Sequence, residues 1–94
     1  MNASTIQATD VPQVARGHRI QYEPAQQRHV LLYPEGMVTL NDSAAEILSR
    51  CDGQHNVSRL CADLSTEFGG ADVTDDVYQF LQLAISSGWV VMRD

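Results

Sequence analysis

The stretch LNDSAAEILSRCDGQHNVSRLCADL, residues 40–64, decides how the rest of the chain is read. It holds two short helical patterns joined by a tight connector, the grammar of a helix-turn-helix. Ser43 and Glu46 have the spacing of a capping box, in which the Ser side chain caps the Glu amide and the Glu reaches back. Ala44, Ile47, Leu48 and Cys51 then recur at helical spacing, and Gly53 is placed to end the helix in a left-handed conformation. A second helix opens near Asn56 or Val57. Val57, Leu60, Cys61, Leu64 and Phe68 form one stripe about 100° wide, the width of one face against one core. Gly69-Gly70 stops it.

Units of this kind usually sit on DNA, and DNA demands positive charge. This chain of 94 residues has a net charge of -6, and all six of its basic residues are Arg. Residues 1–40 are balanced, with Arg16, Arg19 and Arg28 against Asp10, Glu23 and Glu35. Residues 41–94 set three Arg (Arg50, Arg59, Arg93) against nine carboxylates, so the whole excess lies in the helical half. Non-specific DNA affinity comes from neutralising phosphates, and this half is badly equipped for it. An acidic surface of this kind keeps a protein soluble, or steers a basic partner toward it.

Upstream, residues 18–40 read as a three-strand meander. His18, Ile20 and Tyr22 alternate with Arg19, Gln21 and Glu23, the period of a half-buried strand. RHVLLY restarts the pattern after a break at residues 24–27. Pro34-Glu35-Gly36 marks a tight turn, with proline presetting the backbone at the second position and glycine at the fourth. Met37, Val38, Thr39 and Leu40 make a short third strand. Residues 1–15 lack periodicity and read as a mobile N-terminal arm, leaving residues 16–94 as a single domain.

Downstream, a third helix starts around Asp72 to Thr74 and runs to Ser87, with Asp75 and Asp76 in its first turn, where carboxylates suit the helix dipole. Gly88 ends it, and residues 89–92 form a last extended segment. Strands followed by three helices give an α+β domain, winged-helix-like, with a three-stranded antiparallel β-meander followed by a three-helix bundle. The polar N-terminus has no signal-peptide pattern and no apolar run reaches the roughly 18 residues of a membrane span, so the expected place is the cytoplasm, away from membranes.

Two features suggest a binding surface. The apolar arc of the third helix is about 200° wide, twice what one face needs, so either the helix is sandwiched in the core or part of the arc is left for a partner. Val73, Val77, Leu81 and Ala84 lie at its centre, Phe80 and Leu83 on one flank, Tyr78 and Ile85 on the other. The third strand is an edge of the meander, uncharged and free of internal proline, and such an edge can accept an extra strand from a peptide. The same edge, or the arm, offers a route to a homodimer. Chemistry is sparse. There is no phosphate loop, and His18, His29 and His55 are scattered. Cys51, His55 and Cys61 match no zinc spacing, and both cysteines fall on apolar stripes. Neither catalysis nor a cofactor nor a metal is expected.

The run LLYPEGMVTLNDSAAEILSRCDG, residues 31–53, resembles the PqqD family of pyrroloquinoline quinone (PQQ) biosynthesis. Its specific part is the Tyr33-Pro34-Glu35-Gly36 turn followed by Leu40-Asn41-Asp42-Ser43-Ala44. VPQVARGHRIQYEP (residues 11–24) and the helix with its Gly-Trp ending (residues 73–89) extend the resemblance over residues 11–92. Asn56-Val57 departs from the family's Thr-Val opening. The resemblance implies a cytoplasmic peptide chaperone without catalytic activity. It would bind the ribosomally made PQQ precursor peptide and present it to a radical S-adenosylmethionine (SAM) enzyme that cross-links a Glu and a Tyr. It implies that the peptide adds to the third strand and lies against the third helix. On that match the site falls on Met37, Val38, Thr39 and Leu40, and on Val77, Phe80, Leu81 and Ala84. The alternative from another class is a winged-helix nucleic-acid-binding protein. It would need a basic recognition helix, where the second helix offers only Arg59 against Asp63 and Glu67.

Overall fold

The computed structural model describes residues 5–93. Its elements are β1 (Val11–Val14), β2 (Arg19–Glu23), β3 (Arg28–Tyr33), β4 (Gly36–Leu40), α1 (Asp42–Ser49), α2 (Val57–Glu67), α3 (Thr74–Ser86) and β5 (Val90–Arg93). The meander is an antiparallel sheet in the order β2-β3-β4, with Ile20, Leu31 and Val38 in register across it. These three contribute the sheet's inner face to a core completed by Leu48, Val57, Leu60, Leu64, Val77 and Leu81. Among the described residues, no helix is long and apolar enough to cross a membrane.

A second sheet was not anticipated. β1 pairs antiparallel with β5, from Val11 opposite Arg93 to Val14 opposite Val90. The end of the segment read as an arm is therefore a strand. The residues just before it are also tied down. Val57 and Ser58 at the start of α2 donate their amides to the Asp10 and Ala8 carbonyls, at 2.8 and 3.0 Å. A helix N-terminus has amides with no partner of its own, and the incoming chain supplies acceptors for two of them. Ile6 packs against the core beside them. Residues 1–4 of that segment lie outside the described residues.

The cap of α1 is also two residues earlier than expected. Asn41, not Ser43, is the N-cap: its Oδ1 accepts from the Ala44 amide at 2.8 Å. Asn caps as well as Ser, and the strand ends at Leu40, so the first residue free to take the extended cap conformation is Asn41. Asn56 caps α2 in the same way, accepting from the Arg59 amide at 2.8 Å. Gly53 has a φ of +74°, but it lies beyond the Arg50 cap of α1. It sits where β1 crosses the connector. Its amide donates to the Pro12 carbonyl at 3.0 Å, and a Cβ there would stand 2.9 Å from Gln13 Oε1. At the far end, Gly88 (φ +82°) closes α3 in a Schellman turn. Its amide donates to the Ile85 carbonyl and the Trp89 amide to the Ala84 carbonyl, at 3.0 and 2.8 Å. This turn aims the chain from α3 into β5.

Candidate functional site: a cleft between β4 and α3

β4 is one of the two edge strands of its sheet. Tyr33 and Gly36 face each other across the two-residue turn Pro34-Glu35, so they form the hydrogen-bonded pair that closes the hairpin. In an antiparallel ladder such pairs alternate, and each residue turns its N–H and C=O to the same side. Gly36, Val38 and Leu40 therefore bond to β3, while Met37 and Thr39 turn their backbone groups to the open edge.

Beside that edge lies a cleft of about 350 Å³. Val38, Thr39 and Leu40 form its strand wall, and Ala44 and Ile47 of α1 its floor. Asp76, Phe80 and Leu83 form its helix wall. Those three are spaced i, i+4 and i+7, so they make one stripe along α3. Trp89 closes the end, with its ring 6.5 Å from that of Phe80. Leu83 is 53% exposed although apolar. The lining is chiefly apolar, and Asp76 is its one charged member. A wall of unpaired backbone facing a wall of apolar side chains suits an extended peptide, which offers both.

The residues singled out from the sequence divide in two. Val38, Thr39, Leu40 and Phe80 meet around the cleft. Met37 offers its backbone to the edge, but its side chain, 51% exposed, turns to the outer face of the sheet, opposite to that of Val38. Val77, Leu81 and Ala84 are at most 1% exposed and pack into the core. The arc of α3 is wide because it serves two surfaces: the stripe of Val77, Leu81 and Ala84 is the core seam, and the flank one position over faces the cleft. Leu83, Asp76 and Trp89 also line the cleft but are not among the residues singled out from the sequence. The signal was the flank of Phe80 and Leu83, since the centre of an apolar arc is what a core takes first.

The helix-turn-helix is poorly equipped for phosphate. Arg59 of α2 bonds Asp63 at 3.1 Å, and Arg50 bridges Glu46 and Glu67. These guanidinium groups already have carboxylate partners. The thiols are not poised for chemistry either. Burial pushes Cys51 up to about 12, and the thiol donates to the Ile47 carbonyl. Cys61 is half-buried and also raised, chiefly by burial. Among the described residues, no group of three or more His, Cys, Asp or Glu could hold a metal.

Comparison with known proteins identifies the family and the fold. The family model for Coenzyme PQQ synthesis protein D (PqqD) matches residues 28–90, from β3 to the start of β5. A PqqA binding protein of Azotobacter vinelandii is 50% identical over 94 residues, which cover 99% of this chain and 100% of that one. One from Stutzerimonas stutzeri is 46% identical over 91 residues, covering 96% and 99%. Among solved structures, the PqqD truncation of Methylobacterium extorquens PqqCD, described as a stand-alone recognition element for ribosomally synthesized, post-translationally modified peptides, superposes with a TM-score of 0.80. It is 26% identical and the match covers 97% of this chain and 99% of that one. The family model spans β3, β4, all three helices and the walls of the cleft, the Azotobacter vinelandii relative spans the whole meander as well, and the chain belongs to the PqqD family.

Proposed function

We propose that this protein is a non-catalytic peptide adaptor of PQQ biosynthesis. It binds the ribosomally made precursor peptide as an added strand on β4, against the Phe80–Leu83 flank of α3. It presents that peptide in the cytoplasm to the radical SAM enzyme that cross-links its Glu and Tyr. The observation that carries the reading is the open edge of β4, with the Met37 and Thr39 backbone turned outward beside an apolar cleft. Relatives named PqqA binding protein support the choice of peptide. A homodimer through β4 would occupy the same edge, so self-association and peptide binding would compete.

The test is to incubate the precursor peptide with the reduced radical SAM enzyme and SAM, with and without this protein, and follow peptide mass. The adaptor reading expects cross-linking to rise when the protein is added, and peptide mass to stay unchanged with the protein alone. Equal cross-linking with and without it would contradict presentation. A mass change produced by the protein alone would contradict the non-catalytic role.

A further inference from the structure

The cleft does not end at Asp76. A second depression of about 290 Å³ lies between α1, the end of α2 and the start of α3, and it shares Ser43, Ile47 and Asp76 with the first. Its remaining lining is apolar: Leu64, Phe68, Val73 and Val77. Phe68 is the outlier of the α2 stripe. Val57, Leu60 and Leu64 are at most 1% exposed, whereas Phe68 is 45% exposed at the helix C-cap. Asp76 stands at the junction. It is the one formal charge lining either depression, and it has no ion-pair partner among the described residues. Its neighbour Asp75 turns to a different surface, beside Tyr78 and Gln79.

We propose that this continuous groove selects a peptide bearing a basic side chain opposite Asp76, with an apolar side chain beyond it seated on Phe68 and Val73. The inference rests on the adaptor reading and names the chemistry that reading leaves open. An unpaired carboxylate between two apolar depressions favours Lys or Arg over any anion, and the acidic helical half adds to that preference at longer range. Spacing follows from geometry. Asp76 and Leu83 are seven residues apart on a helix, roughly 10 Å, which an extended chain covers in about three residues. The basic residue therefore falls two to four positions from the apolar residue that meets Leu83.

The experiment measures binding of the synthetic precursor peptide, and of versions in which each Lys or Arg in turn is replaced by Gln. It uses the wild-type protein, Asp76→Asn, Asp75→Asn and Phe68→Ser, with far-UV circular dichroism and sedimentation on the same samples. Asp76→Asn is expected to weaken the parent peptide about three- to fivefold at low salt, the range of an exposed ion pair. It should leave one Gln-substituted peptide unaffected, because the pair is already broken there. Asp75→Asn removes the same charge one residue away and should change affinity less than twofold. Phe68→Ser should weaken every peptide while remaining helical.

Equal effects of Asp75→Asn and Asp76→Asn would reduce the preference to net charge and overturn the site, with the adaptor reading intact. An unchanged affinity for Asp76→Asn would do the same. If Phe68→Ser abolishes self-association and leaves peptide affinity alone, the depression belongs to a second copy and the proposal fails. No binding of the parent peptide to the wild-type protein at concentrations well above micromolar would remove the adaptor reading and this inference together.

Discussion

The Trp89 ring stands 6.5 Å from the Phe80 ring, tilted by 43°, while the Trp89 amide donates to the Ala84 carbonyl at 2.8 Å. One residue thus closes the α3 Schellman turn with its backbone and the end of the cleft with its side chain. The chain has a single Trp, so its fluorescence reports the cleft alone. Adding precursor peptide should shift or quench the emission saturably, and Phe80→Ala should reduce the amplitude. Emission that stays constant while the peptide binds by calorimetry would place the peptide elsewhere.

Two neighbouring prolines should separate binding from folding. Thr39 turns its amide to the open edge, where proline is tolerated. Thr39→Pro should cost less than about 1 kcal/mol of stability and weaken peptide binding at least about tenfold, by removing a donor and obstructing the added strand. Val38 bonds to β3 and pairs with Leu31. Val38→Pro removes a ladder donor and leaves the facing β3 carbonyl unpaired, so it should lower stability by about 1–3 kcal/mol, more than Thr39→Pro. Urea melts and binding isotherms on both variants decide. Full affinity in a folded Thr39→Pro protein would contradict strand addition.

The two stripes of α3 should respond in opposite ways. Leu81 is fully buried, and Leu81→Ala should destabilise by about 2–5 kcal/mol. Leu83 is 53% exposed, and Leu83→Ser should change stability by no more than about 0.5 kcal/mol. Its effect should be on affinity. If Leu83→Ser binds peptide like the wild type, the helix wall of the site lies elsewhere.

Alkaline pH should weaken the fold through Cys51. Burial raises the thiol from 9.0 to about 12. A raised acid holds its proton longer in the folded state than in the unfolded one. Its stabilising contribution is therefore full below about pH 9 and lost as pH rises from there toward about 12. Thermal melts from pH 8 to 11 should show a decline that is shallower in Cys51→Ala. Parallel pH profiles for the two proteins would contradict the assignment.

These expectations indicate where the sequence was informative. The turn at Pro34-Glu35-Gly36, the glycines closing α2 and α3, and the helical stripes are local signals, and the elements they mark are present. β1 was not legible because its partner is β5, about eighty positions away, with Val11 opposite Arg93. Four residues containing a proline carry no periodicity of their own. The cap of α1 was displaced because two suitable residues, Asn41 and Ser43, stand two positions apart, and only the end of β4 decides between them. The strand wall of the cleft could be read from an uncharged edge, whereas of its helix wall only Phe80 was singled out. The width of the α3 arc fits either a helix sandwiched in the core or one with a spare face, and where β4 and Trp89 come to lie decides between them through tertiary contacts.

The most direct test of the central claim is an amide-resolved NMR titration of the protein with its precursor peptide. Shifts are expected to concentrate on residues 37–40 and on Asp76, Phe80, Leu83 and Trp89, with the first turns of α2, residues 57–62, little changed. Shifts centred on α2, or none at peptide concentrations well above micromolar, would contradict that claim.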